Sequence, residues 1–154
     1  MPQPALPKVL AAGTQDAIEL VRRLLEGEAT VVPALSVEAA VQRLDPGIAL
    51  ILANIRFDDS RIFDFLAALQ EGPYRRVPVV CFRMRSANLP PAMEKSVELA
   101  LAEGGLAEFV DLDAIESREG AQAALAELRG RALAALSGGG AYNPPPQHHS
   151  RRGQ

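Results

Sequence analysis

The sequence of 154 residues is poor in the residue types that carry covalent or redox chemistry. Its single cysteine, Cys81, rules out an internal disulfide, so a reducing compartment is the expected environment. It has no tryptophan and only 5% aromatic residues, which leaves little to stack on a flavin. His148 and His149 stand together in a Gly/Pro-rich stretch, without the ligand spacing of a metal site. We therefore expect no cofactor, no metal and no enzymatic activity.

Charge and hydropathy argue against two classes of partner. The formal net charge of −3 gives no broad basic field, so nucleic acid is not an expected partner. No apolar run approaches the roughly 18–20 residues that a membrane helix needs, so no membrane association is expected. Residues 1–7 have neither the basic start nor the apolar core of a secretory signal. These features predict a soluble, cytoplasmic protein.

Short apolar segments alternate with amphipathic ones along most of the chain. The predicted strands cover residues 8–12, 30–34, 48–54, 77–82 and 108–112. Pro33 places the second of them at a sheet edge, because proline cannot donate a hydrogen bond to a neighbouring strand. Helices are predicted behind the N-caps Thr14 and Ser36, from residue 62, over residues 90–104, and behind Ser117. The helix behind Ser36 is expected to bury Val37, Ala40, Val41 and Leu44. Alternation without hairpin signals is typical of a parallel sheet with helices on both faces, that is, of the α/β class.

The composition also divides the chain into three parts. We expect a flexible N-terminus over residues 1–7, one domain over residues 8–136, and a disordered Gly/Pro-rich tail over residues 137–154.

The run over residues 48–54 is the predicted centre of the sheet. An unbroken apolar segment bounded by turn residues indicates a strand buried on both faces. The run ends on Asn54, and ligands in open α/β sheets gather where strands end. The function of the domain therefore depends on what Asn54 can do at that edge.

The order and spacing of these segments resemble the receiver domain of bacterial two-component response regulators, over residues 8–136. Residues 50–57, LILANIRF, resemble the receiver pattern of an apolar run, an aspartate, an apolar residue, a basic residue, methionine and proline. Residues 77–80 and 105–110 resemble the fourth strand and the entry to the fifth. The resemblance implies a flavodoxin-like (βα)5 three-layer sandwich with sheet order 2-1-3-4-5.

Receivers accept a phosphoryl group on an aspartate after the third strand, with Mg²⁺ held by an acidic pair after the first. A hydroxyl residue after the fourth strand and a lysine after the fifth contact the phosphoryl oxygens. The equivalent positions here are Asn54 for the aspartate, Ala12 and Gly13 for the acidic pair, Arg83 for the hydroxyl residue, and Leu112 (or Asp111 with a shift of one) for the lysine. None of these side chains matches the chemistry of its position, so the resemblance implies a degenerate receiver.

Two alternatives stay open at this edge. Thr14, Arg56, Arg83 and Arg85 could form an anion site, since arginine forks and free N–H groups at a helix N-terminus bind anions. Otherwise Arg83 pairs with Asp58 or Asp59 and fills the empty acidic pocket. These two aspartates could instead accept a phosphoryl group in an atypical receiver, or be ordinary carboxylates at a helix start.

The favoured hypothesis is a stand-alone, phosphorylation-independent module that acts by protein–protein contact in signal transduction. By resemblance, the face formed by the predicted helix at residues 90–104, the fifth strand and the last helix could mediate homodimerisation. A solvated face on a monomer is the alternative.

Overall fold

The computed structural model describes residues 6–56, 61–84 and 108–137. The strands within these residues are β1 (Lys8–Ala12), β2 (Thr30–Ala34), β3 (Ile48–Asn54), β4 (Val79–Arg83) and β5 (Glu108–Asp111). The helices are α1 (Gln15–Leu24), α2 (Val37–Arg43), α3 (Ile62–Glu71), α4 (Leu112–Glu119) and α5 (Ala121–Leu136). The strands form one parallel sheet in the order β2-β1-β3-β4-β5, which confirms the predicted α/β fold and strand order.

Three predicted segments lie wholly or largely outside the described residues. These are the helix over residues 90–104, the N-terminal segment apart from residues 6 and 7, and the tail apart from residue 137. None of the helices within the described ranges is long and apolar enough to cross a bilayer.

The central strand β3 separates two apolar layers. It pairs with β1 on one side and with β4 on the other, and Leu50, Ile51 and Leu52 are fully buried. Ile51 faces the layer that contains α2 and α3, whereas Leu50 and Leu52 face α1 and α5. This alternation follows from the two-residue period of a strand. The prediction that β3 is buried on both faces is confirmed.

Strand β2 lies at one edge of the sheet, as the proline in its sequence predicted. The backbone N–H of Thr30 donates to Pro7, and the carbonyl of Ala34 accepts from Gly13, so these residues face toward β1. The backbone of Pro33 faces the opposite way, toward the open edge of the sheet. Because β2 pairs with no strand on that side of the described sheet, the missing N–H of proline costs no hydrogen bond between strands.

Two of the predicted N-caps are confirmed. The Thr14 hydroxyl accepts from the Ala17 N–H at 3.3 Å, and the Ser36 hydroxyl accepts from the Ala39 N–H at 3.0 Å. Val41, which was predicted to lie on the buried side of α2, is instead 44% exposed.

The predicted N-cap at Ser117 is wrong. Ser117 lies inside α4, which begins at Leu112 and is capped by Asp111 through a 3.0 Å bond from the Ala114 N–H. Helix α4 ends at Gly120, whose φ of 101° and ψ of 164° are essentially restricted to glycine. The chain then starts a new helix, α5, so two helices are observed in the region where one was predicted.

An ion pair joins the start of β1 to the turn before β3. The Lys8 Nζ lies 2.7 Å from an Asp45 Oδ2, and the Gly47 N–H donates to Asp45 Oδ1. The hydrogen bond from Lys8 is the largest cause of a lowered pKa of the Asp45 carboxyl, and the bond from Gly47 adds to it. A carboxyl with a lowered folded-state pKa stabilises the fold above its unfolded pKa, and this stabilisation is lost as the pH falls through the folded value.

We therefore expect the D45N variant to be less stable than the parent chain at neutral pH and to lose less stability on acidification. Urea unfolding at neutral pH and at about pH 3 measures both effects. The K8M variant serves as a control, because it removes the partner and should also weaken the acid dependence. Equal acid sensitivity of D45N and the parent chain would contradict this assignment.

Candidate functional site

Four strands deliver their last residues to one edge of the sheet. These residues are Ala12, Asn54, Arg83 and Asp111, at the ends of β1, β3, β4 and β5. We call them, together with Gly13, the carboxyl-edge site. In parallel α/β sheets this edge is where ligands bind and chemistry takes place.

Asn54 is buried, with only 3% of its surface exposed, and its side chain serves the local backbone. Its Oδ1 atom accepts a hydrogen bond from the Arg56 N–H at 2.6 Å. This bond closes a turn directly after β3, as asparagine side chains commonly do. The side-chain oxygen that would face a ligand is therefore used to shape the turn.

Gly13 and Asn54 approach so closely that a side chain on Gly13 would be crowded against its neighbours. A Cβ atom placed on Gly13 would lie 3.0 Å from the Cβ of Asn54 and 3.0 Å from the Cβ of Ala17. Ala12, the preceding residue, is buried in the core. The two positions that the resemblance assigns to the acidic pair therefore offer no carboxylate in this chain.

The Mg²⁺ that the resemblance implies does not fit this donor set. Magnesium in proteins is held by carboxylates, waters and phosphate oxygens. Ala12 and Gly13 offer no side-chain oxygen, and the Asn54 oxygen is already bonded. In residues 6–56, 61–84 and 108–137, no three histidine, cysteine, aspartate or glutamate side chains group in a way that could hold a metal.

The G13A variant tests the close approach. A glycine-to-alanine change at a compatible position usually stabilises a protein slightly, because it restricts the unfolded chain. Here we expect a loss of about 1–3 kcal/mol from overpacking against Asn54 and Ala17, measured by urea unfolding.

The matched control for this prediction is G72A. The atom nearest to a Cβ at Gly72 is the Ala68 carbonyl oxygen, at 3.3 Å, so an added methyl group is less crowded there than at Gly13. G72A should therefore cost less than G13A. A stabilised G13A variant would show that the contact with Asn54 and Ala17 leaves room for a Cβ atom.

Arg83 links the ends of two strands and the start of a helix. Its Nη1 atom lies 2.9 Å from Asp111 Oδ1 and 3.1 Å from Asp113 Oδ2. The same Asp111 oxygen accepts the Ala114 N–H that begins α4. We call Arg83, Asp111 and Asp113 the Arg83 clasp. Its arginine side chain is only 16% exposed, so solvent screens these pairs less than surface pairs.

Arg83 was expected to pair with Asp58 or Asp59, and this expectation stays a prediction because both residues lie outside the described ones. Among the described residues, Arg83 pairs with Asp111 and Asp113. A signal for the Asp111 pairing lies in the sheet register, which places Arg83 directly opposite Asp111. Opposite charges at such facing positions attract each other across neighbouring strands.

The remaining predicted site residues are dispersed. Leu112, which the resemblance assigns to the lysine position, is buried against the layer formed by α1 and α5. The Thr14 hydroxyl is used as a helix cap, and Arg56 is half-buried next to Asn54. Arg85 lies outside the described residues. The structure thus joins Asn54, Gly13 and Arg56 at one point and holds Arg83 against carboxylates.

The R83M variant tests the clasp. Methionine preserves part of the apolar stem but leaves Asp111 and Asp113 without their shared counter-charge. We expect a loss of about 1–3 kcal/mol in the free energy of unfolding, measured with urea.

A surface pair provides the control for the clasp. The Arg129 Nη2 lies 2.9 Å from the Glu28 Oε2, and both side chains are more than two-fifths exposed. R129M should therefore lower the free energy of unfolding by less than about 1 kcal/mol. Adding D113N to R83M should recover part of the loss. If R83M and R129M lower the free energy of unfolding by the same amount, the clasp contributes no more than an ordinary surface ion pair.

With this geometry established, comparisons with known proteins support the fold. No protein-family model matches the sequence. A search of curated proteins also finds no match. Among solved structures the chain is similar to the chemotaxis response regulator CheY4 of Vibrio cholerae, with a TM-score of 0.57 and 15% identity over 86% of this chain and 100% of that one. At this level of identity the likeness shows a receiver-like, flavodoxin-like fold.

Proposed function

We propose that this chain is a receiver-like module that works without phosphorylation, through direct contact with a protein partner in a signalling or regulatory assembly. The observation that carries the proposal is the set of contacts made within the carboxyl-edge site. By the resemblance, Asn54, Gly13 and Arg83 correspond to the aspartate, one of the acids and the hydroxyl residue of a receiver, and they bond to or pack against neighbouring groups.

The chemistry of phosphoryl acceptance requires groups that the described residues of this edge either lack or hold in other contacts. An acyl phosphate forms on a carboxylate oxygen, and Asn54 has an amide in its place. Transfer also requires neutralisation of the phosphoryl charge, which metal ions and cationic side chains provide in phosphoryl-transfer sites. The one cationic group within the carboxyl-edge site, Arg83, is directed at two carboxylates.

The Arg83 clasp suggests how such a module would present its surface. In a phosphorylated switch, contacts to the phosphoryl group stabilise one of two arrangements. Here Arg83, Asp111 and Asp113 connect β4, β5 and α4 with groups that belong to the chain itself. The surface built on these elements is therefore held in one arrangement without an added group. The proposed contact surface is the side of the sheet that carries β5 and α5, and a second copy of the chain is one partner that could occupy it.

Incubation with acetyl phosphate and Mg²⁺ tests the independence from phosphorylation. We expect no mass increase of the intact full chain, since Asn54 has an amide at the acceptor position and the carboxylates of the described edge, Asp111 and Asp113, are paired with Arg83. Mass spectrometry of the intact protein measures this directly, with a response regulator that is labelled by acetyl phosphate as a positive control.

Two observations would contradict the proposal. A label that peptide mapping places on Asp58 or Asp59 would identify an atypical receiver. In a capture experiment with the tagged full chain, partners that bind only after treatment with acetyl phosphate would show a phosphorylation switch. The expected result is the same set of partners with and without treatment, and light scattering decides whether a second copy is among them.

A further inference from the structure

A cavity of about 240 Å³ lies between α1, α4 and α5, on the side of the sheet opposite α2 and α3. Most of its wall is apolar and includes Leu20 from α1, Leu112 from α4 and Leu125 from α5. Gly13, Asn54 and Arg83 do not line it, so it is separate from the carboxyl-edge site.

The break at Gly120 and the small residues that follow it border the cavity. Ala121 and Ala124, both on the first turn of α5, lie on its wall, where longer side chains would fill the space. The cavity is open to solvent on one side, so a ligand that enters it removes part of the apolar wall from water. Its volume accommodates one ring with a short chain.

One charged group gives the cavity a chemical preference. Glu116 is the only charged residue among the described residues that line it. Its side chain is exposed, which places the carboxylate at the mouth of the cavity. Within the described part of the chain, no hydrogen bond or ion pair engages this carboxylate, although the backbone carbonyl of Glu116 accepts from Gly120. An apolar interior with a carboxylate at its mouth complements an amphiphilic cation.

We propose that this cavity binds a small organic cation, with its ammonium group at Glu116 and an aromatic or branched aliphatic body against Leu20, Leu112 and Leu125. This proposal goes beyond the protein contact proposed above and does not depend on it. Met84 and Leu112, which border the cavity, follow Arg83 and Asp111 directly in the chain. A bound molecule would therefore touch the residues adjacent to the Arg83 clasp.

Three probes of similar shape and different charge test the proposal. The ¹⁵N-labelled full chain is titrated at neutral pH with 2-phenylethylamine, 2-phenylethanol and 3-phenylpropionate, and amide shifts are followed by NMR. We expect shifts at Leu20, Glu116 and Ala124, and about fivefold tighter binding of the amine than of the alcohol, as a solvent-exposed ion pair allows. The propionate should bind most weakly.

Two variants assign the roles of charge and space. E116Q should lower the affinity for the amine to that for the alcohol, and it should leave the affinity for the alcohol unchanged. A121L should weaken all three probes because it fills the cavity. The matched control A126L, an exposed position on α5 that does not line the cavity, should bind like the parent chain. Absence of binding, equal affinities for the three probes, or equal effects of A121L and A126L would each overturn the proposal.

Discussion

The burial of β3 on both faces is the constraint on which the carboxyl-edge site depends. Because β3 pairs with β1 and β4 and alternates its side chains between two apolar layers, its register cannot slip by one residue without moving Leu50 and Ile51 to the wrong layers. This fixed register carries Asn54 to the edge and against Gly13. The chemistry available there therefore depends on Asn54 and on the small residue, Gly13, that fits beside it after the neighbouring strand β1.

The two polar side chains Asn54 and Arg83 engage other groups of the chain in different ways. Asn54 bonds to the backbone two residues ahead, so its burial is compensated within a single turn. Arg83 instead draws on residues 28 and 30 positions away in sequence, on another strand and on the following helix. The first contact shapes a loop, whereas the second connects elements. A partly buried pair of this kind can add specificity of arrangement even where its net contribution to stability is modest, because desolvation opposes the attraction.

The parts of the structure that follow local rules could be predicted from the sequence. Alternating apolar segments indicated the strands, Thr14 and Ser36 indicated two helix starts, and Pro33 placed β2 at an edge. The partners of Arg83 could not be derived in this way, since they depend on the register between β4 and β5. The start of the last helix was misplaced for a related reason. Ser117 and Asp111 both have side chains suited to an N-cap, and only the end of β5 decides that Asp111 takes this role. The conformation of Gly120 then divides the helical region in two.

Pro33 has a consequence for how copies of this chain can associate. An exposed strand at a sheet edge offers a row of backbone donors and acceptors to any extended segment nearby, and such edges promote intermolecular sheet growth. Because Pro33 faces outward from β2, one donor of that row is replaced by a ring that also obstructs the approach of another backbone. This flank of the sheet is thereby protected against strand addition.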